Sequence, residues 1–313
     1  MRAYASPSGH GPWKTVLMTF NPDADVSDNK VQRRSGGRTA AIAGGGVVGL
    51  GAVVVLLISA FTGVDLSGLL GGGTDTSQSQ QQGGGSTDGS VQSCNTGTDA
   101  NNSVDCRVAA VSLVLNEYWA KHVKGYVDPG QVNVDGATST PCGTASNDVG
   151  PFYCPSDQTV YIDPTFFQLL KQQFGAEAGD LAQVYVVAHE YGHHIQNITG
   201  TMSKYPNNGT GPTSNGVRTE LQADCYAGAF IADMTQEKDK KGVPYMKTPT
   251  EAQIKDALNA AAAVGDDHIQ QQSAGYTNPE SWTHGSSKQR DYWFANGYKS
   301  GLGQCDTFSV ATP

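Results

Sequence analysis

Cysteine is absent from the first 93 of the 313 residues, no C-x-x-C pair occurs anywhere, and lysine and arginine never gather into a basic stripe. Each absence excludes something. With a net charge of -9 and a pI near 5.1, a chain without a basic stripe does not have nucleic acid as its main partner. Without C-x-x-C, a cysteine-held metal is disfavoured, and the six cysteines from Cys94 onward read as disulfide partners. The pairing expected is Cys94 with Cys106, Cys142 with Cys154 and Cys225 with Cys305.

Charge is missing altogether from Ala40 to Phe61 (AAIAGGGVVGLGAVVVLLISAF), a run long enough for a bilayer core of roughly 30 Å. Lys30, Arg33, Arg34 and Arg38 precede it, so the positive-inside rule keeps the N-terminus cytoplasmic and exports the chain beyond Phe61. No clean A-x-A site comes after it, and the run exceeds a signal peptide's usual apolar core, which favours an uncleaved anchor. Gly71 to Ser93 has almost no apolar residue and reads as a tether. The expected organisation is a disordered cytoplasmic tail (1–39), a single transmembrane helix (40–61), a flexible Gly/Ser/Gln linker (62–93) and an extracytoplasmic domain (94–313).

Within that domain, Val186 to Gln196 contains HExxH: His189, Glu190 and His193. On a helix, positions i and i+4 share a face, so two imidazoles can reach one tetrahedral ion such as Zn²⁺. Glu190 lies about 100° around the helix, poorly placed as a ligand but well placed to hydrogen-bond a water in the ion's open position. Asp180 with Gln183 has a capping-box pattern, Val184, Val187, Ala188 and Ile195 supply an apolar face, and Gly200 is a stop. Gly192 costs the helix roughly 1 kcal/mol against Ala, which implies close packing by another backbone.

A catalytic zinc usually takes three protein ligands plus water. Val217 to Ile231 reads as an apolar helix carrying Glu220 and Asp224 at i and i+4, two carboxylates that burial penalises unless a cation or an imidazole holds them. Glu220 is the expected third ligand, and Asp224 the acceptor behind a ligating histidine; exchanging them leaves the reaction class unchanged.

Periodicity predicts a helix over Val104–His122, short strands in Gly125–Thr140, a strand at Thr159–Ile162 able to pair with an extended peptide, and a helix capped by Asp163-Pro164. A loop from Tyr205 to Asn215 borders the cleft, and a further helix spans Thr250–Gln270, with Asp266, Asp267 and His268 near its end. Ser286 and Gln289 form another capping box, placing His284 just before a helix whose first turn carries Arg290. Either could stabilise an oxyanion near the metal; a salt bridge for Arg290 and an ordinary loop position for His284 are equally open.

The segments CGTASNDVGPFYCPSDQTVYIDPTFF, AHEYGHHIQN, ELQADCYAG, AVGDDHIQ and THGSSKQRDYWFANGY resemble the putative neutral zinc metallopeptidase family of bacteria, over about Cys94 to Phe308. HExxH followed by Glu-x-x-x-Asp is similar to the broader gluzincin arrangement. The resemblance implies His189, His193 and Glu220 as zinc ligands, Glu190 as general base and Asp224 behind them. THGSSKQR resembles a stretch of the membrane-associated HtpX-like peptidases, which implies that His284 or Arg290 lines the site. Tyr191 stands where that family pattern has a small aliphatic residue. The fold expected is α+β, a helix-rich zincin-like metallopeptidase domain with a small sheet, preceded by the transmembrane helix. The expected function is hydrolysis of a peptide or protein substrate by a membrane-anchored zinc peptidase. The rivals are a non-catalytic zinc-stabilised surface binding module and a cell-wall peptide amidase.

Overall fold

The computed structural model describes residues 19–35, 87–90 and 94–313, apart from 148, 175 and 177. The first strands, β1 (Gln32–Ser35) and β2 (Thr87–Ser90), precede two helices, α1 (Gly97–Asn102) and α2 (Val104–His122). A capping box at Thr96 and Asp99 starts α1, and Ser103 caps α2, whose Val108, Val111, Leu115 and Trp119 are buried at the spacing seen in the sequence. Next come strands β3 (Gly130–Asp135), β4 (Ala137–Thr140), β5 (Gly143–Ser146), β6 (Phe152–Cys154) and β7 (Thr159–Ile162). They make a five-stranded mixed sheet in the order β2-β1-β3-β7-β6 and a separate β4–β5 hairpin.

Helix α3 (Phe166–Phe174) starts later than Asp163-Pro164 predicts, because the Asp163 carboxylate accepts from Thr165 N and Oγ1 and shapes a turn first. Beyond it come α4 (Asp180–Ile198), α5 (Thr201–Lys204) and α6 (Asn215–Asp233), then α7 (Glu251–Ala263), α8 (Asp266–Ala274) and α9 (Ser287–Ser300). The helix expected over Thr250–Gln270 is thus two, broken at Val264–Gly265.

Helix α4 runs through the core, with α2, α6 and α7 packed around it. At Gly192 a Cβ would sit 3.0 Å from Ala223 Cα, the close approach its sequence position implied. Helices α6 and α9 cross closer still. A Cβ on Gly228 would lie 2.1 Å from Phe294 O, and one on Gly297 only 1.9 Å from Cys225 O, so both crossing points require glycine. Three disulfides form with the expected pairing. Cys225–Cys305 spans 80 residues against 12 for each of the others, and loop-closure entropy gives it the largest constraint, on the order of 4–5 kcal/mol against about 3.

Residues 19–35 correct the expected disordered tail. Phe20, Ala24 and Val26 are wholly buried, Phe20 exchanges hydrogen bonds with the Asn101 side chain, Asn21 N donates to Tyr245 O, and β1 pairs in parallel with β3. The reason is long-range: β3 needs a neighbour on its second edge, and the core helices leave a slot that Phe20 fills. The domain therefore does not begin at Cys94. Thr87–Ser90, expected in the linker, pairs with β1. The apolar run 40–61 and the rest of the linker lie outside the described residues, and among those described no helix is long and apolar enough to cross a membrane. Residues 19–35 and 94–313 share one packed body, so both flanks of the apolar run sit together. A single crossing would separate them.

Candidate metal centre

Helix α4 carries His189 and His193 one turn apart, both buried, with their Nε2 atoms facing each other at 3.2 Å. Helix α6 brings Glu220 against them, Oε2 at 3.2 Å from His189 Nε2 and Oε1 at 3.5 Å from His193 Nε2. The outer ring nitrogens are occupied. His189 Nδ1 lies 2.8 Å from Asp224 Oδ1, an ionised acceptor, so the proton sits on Nδ1 and the Nε2 lone pair faces inward. Gln196 does the same for His193: its amide nitrogen donates to Thr219 O and Gln222 Oε1, which turns its Oε1 toward His193 Nδ1 at 2.9 Å.

Two inward lone pairs and a carboxylate repel one another unless a cation sits among them. Their separations of 3.2–3.5 Å match the edge of a tetrahedron, about 3.3 Å, for bonds of roughly 2.0–2.1 Å to zinc. His189, His193 and Glu220 can hold a metal, and among the described residues this group has three donors, not four. Beside it, Glu190 Oε2 is buried with no hydrogen-bond partner. The donor set and this lone oxygen fit a zinc ion with a water to be hydrogen-bonded.

Burial and neighbours set the electrostatics. Burial pushes the Glu190 carboxyl above the usual range, with His189 and His193 pulling the other way. For Glu220, burial is outweighed by His193 and His189, which hold it well below the usual value. With no metal bound, burial opposes protonation of His189, yet Asp224 and Glu220 raise it to about 10, so a proton on Nε2 then supplies the positive charge that an ion would bring. Asp224 is brought down to about 2 against its burial by Arg290 and His189.

Of the two roles left open for it, Arg290 takes the salt bridge. Its Nε donates to Asp224 Oδ2 at 2.8 Å, Nη2 to Asp224 Oδ1 at 3.0 Å and to Tyr185 Oη at 3.1 Å, and Nη1 to Val264 O at 3.1 Å. A buried guanidinium beside a buried carboxylate pairs with it rather than remaining unpartnered, so Arg290 braces Asp224, and Asp224 orients His189. Tyr185, which donates to Asp224 Oδ1 at 2.6 Å, completes the brace.

His284 sits with Glu190 and Glu220 in the cleft lining. Its Nδ1 lies 2.9 Å from Thr283 Oγ1 and 3.3 Å from Asp266 Oδ1, while Asp266 Oδ2 accepts the backbone N–H groups of Thr283, His284 and Gly285. Burial disfavours its charged form, but Asp266 and Glu220 prevail and raise its pKa. Asp266 is buried, not a solvated helix end.

Asp180 does not cap α4. Gly179 holds that position, and Asp180 and Gln183 turn instead to the buried Arg107 of α2. Strand β7 has both edges filled, by β3 and β6, so it cannot accept a peptide; among the described residues the edge strands are β2 and, on the side of β7, β6. Its Tyr153 hydroxyl lies 3.1 Å from His194 Nδ1 and accepts from Asn197, clamping β6 to the metal helix. Tyr191 points away, toward Gln131. Tyr185 and Gln196 were missed from sequence, although their offsets of four before His189 and three after His193 put them on the ligand face.

Two cavities meet at Glu220. One, of about 220 Å³, is lined by His193, Phe152, Tyr153, Met202 and Tyr205, with Asn207 and Asn215 of the predicted bordering loop. The other, of about 90 Å³, adjoins His189, Glu190, His284 and Arg290.

Residues 18–308 match the family described as "Putative neutral zinc metallopeptidase". Rv2575 of Mycobacterium tuberculosis and Mb2605 of Mycobacterium bovis, both named as uncharacterized proteins, are each 51% identical over 224 residues, covering 71% of this chain and 76% of theirs. YpfJ of Escherichia coli, likewise named uncharacterized, is 41% identical over 295 residues, covering 90% of this chain and 96% of its own. No solved structure matches.

Proposed function

The chain belongs to the neutral zinc metallopeptidase family, and on that premise we propose that it is a zinc-dependent peptidase that cleaves peptide bonds with a glutamate general base. The observation that carries this reading is the convergence of three inward donors beside the lone buried oxygen of Glu190. When bound by His189, His193 and Glu220, zinc supplies Lewis acidity, polarising a carbonyl and acidifying a water. Glu190 takes the proton of the attacking water and passes it to the leaving amine, a role suited to a carboxyl held above its ordinary pKa. His284, anchored through Asp266, donates toward the carbonyl oxygen as negative charge builds there. Arg290, Asp224 and Tyr185 keep His189 in the tautomer that coordinates.

A purely structural zinc fills all four positions with protein groups and has no use for Glu190. The three-donor group therefore favours chemistry over a binding module. The three disulfides support work in an oxidising compartment outside the cytoplasm; a single crossing by the apolar run 40–61 does not belong to the proposal, because residues 19–35 pack into the same body as 94–313. The test is metal analysis of the purified full chain with digestion of a denatured protein, before and after chelation. About one zinc per chain is expected, with cleavage lost on chelation and restored by zinc. A zinc-loaded chain that cleaves no peptide would sink the reading.

A further inference from the structure

His189 is oriented through Asp224, whereas His193 depends on a row of contacts that leads out of the metal centre. The row passes through two buried glutamines of facing helices, Gln196 of α4 and Gln222 of α6. Gln222 Nε2 donates to the Cys305 carbonyl at 2.9 Å, Gln222 Oε1 accepts from Gln196 Nε2 at 3.1 Å, and Gln196 Oε1 lies 2.9 Å from His193 Nδ1. Cys305 is in turn bonded to Cys225 of α6 by the disulfide that closes an 80-residue span.

Direction passes along this row. A backbone carbonyl can only accept, so the Cys305 oxygen draws the Gln222 nitrogen outward and leaves the Gln222 oxygen facing inward. That oxygen also only accepts, so it draws the Gln196 nitrogen and leaves the Gln196 oxygen for the imidazole. The proton of His193 is thereby held on Nδ1, and the Nε2 lone pair on the side of His189 and Glu220. Gln196 has a second anchor in the Thr219 carbonyl at 2.7 Å. The two glutamines are therefore unequal: without Gln196 the His193 ring is released outright, and without Gln222 it is only loosened.

The outer end of the row lies in irregular chain. Thr307 Oγ1 donates to the Arg218 carbonyl, and the Arg218 guanidinium donates to the carbonyls of Thr307, Val310 and Ala311, which lays residues 305–311 along α6. The Cys225–Cys305 bond is the covalent tether that keeps the Cys305 carbonyl at Gln222.

Building on the zinc reading alone, and not on cleavage, we propose that Gln196 and Gln222 are positioning residues for the ligand His193, and that through them the Cys225–Cys305 disulfide sets how tightly the metal is held. The chain with these two thiols reduced, as it is before it reaches an oxidising compartment, holds zinc more weakly than the finished protein.

The test is chelator competition for zinc on the full chain, with the nitrogen chemical shifts of isotope-labelled histidine in the zinc-free protein reporting the His193 tautomer. Gln196→Leu should weaken zinc binding by about 10–100-fold and shift the His193 nitrogens toward a mixture of tautomers. Gln222→Leu should weaken it by about fivefold, the share of one hydrogen bond. Cys225→Ala with Cys305→Ala should cost a similar factor where Gln222 is present and nothing further in Gln222→Leu, the non-additivity that marks one shared route. Removing Cys94–Cys106 in the same way should leave zinc affinity unchanged. If the chain lacking Cys225–Cys305 does not fold, the affinity of Gln222→Leu and the His193 spectrum of Gln196→Leu decide by themselves. Unaltered zinc affinity in Gln222→Leu, an unaltered His193 spectrum in Gln196→Leu, or losses that simply add overturns the proposal. These effects on zinc in a chain that cleaves no peptide support the proposal and remove the peptidase reading, whereas a wild-type chain that takes up no zinc overturns both.

Discussion

The donor cluster between α4 and α6 and the strip of residues 19–35 are both buried parts of one domain, yet they are held in opposite ways. In the cluster, polar groups are buried because each answers another: Asp224 is wholly buried, and His189, Tyr185 and Arg290 all bond it. The strip is held by apolar fit and backbone pairing, with Phe20 seated in the core and β1 beside β3. The first arrangement concentrates cost and function in a few atoms. The second spreads stability over many contacts and touches no chemistry. Mutations should accordingly separate activity from stability.

The sharpest separation is Glu190→Gln. Peptide hydrolysis should fall by about 10²–10⁴-fold, while zinc content and thermal stability stay where they were, because Glu190 Oε2 has no protein partner to lose. Steady-state kinetics beside metal analysis and calorimetry would show it, and full activity in this variant would break the contrast. Arg290→Met should damage both properties. Removing one member of a buried ion pair costs about 3–5 kcal/mol, and loosening the brace behind His189 should weaken zinc binding by about 10–100-fold, read in a chelator competition.

Phe20→Ala belongs to the other region. Denaturant unfolding should show a loss of about 3 kcal/mol, with kcat and zinc stoichiometry of the remaining folded protein unaltered. If residues 19–35 were a free tail, this substitution would change nothing.

Acid should act on the cluster more than on the strip, whose lowered carboxylate, Asp25, is solvent-exposed. In the metal-free protein, Asp224 is depressed from 3.8 to about 2. Its contribution is complete above its unfolded value of 3.8 and is lost as the pH falls through about 2, a difference of roughly 2 kcal/mol. An acid titration of Asp224→Asn should lack that step. The smallest expected effect is Ser286→Ala, which removes the cap of α9 for about 1 kcal/mol.

The comparison also explains what could be read in advance. HExxH and Glu-x-x-x-Asp are spacings along single helices, and a helix converts spacing into a shared face whatever surrounds it, so the facing of His189 and His193 was legible, while Glu220, on another helix, was placed beside them by the need for a third ligand and by the family resemblance. The capping box at Ser286 is equally local, and it forms. Arg290 was not legible in this way. Its side chain reaches Asp224, 66 residues earlier, only because α6 and α9 cross closely at Gly228 and Gly297. Asp180 had a sound capping pattern, but the nearby Arg107 drew it away.

Residues 19–35 were misread because nothing in so short and polar a segment marks its destination: a strand that pairs in parallel with β3, about a hundred positions away, leaves no local period. Residue types and their spacing along each helix, being set by backbone geometry alone, settled in advance which atoms can hold a metal and which carboxylate stands beside it. Which partner each buried charge chose, which strands stayed at the sheet's edges and where the domain starts depended on segments far apart in the chain being brought together, because burial and packing act through space and not along the sequence.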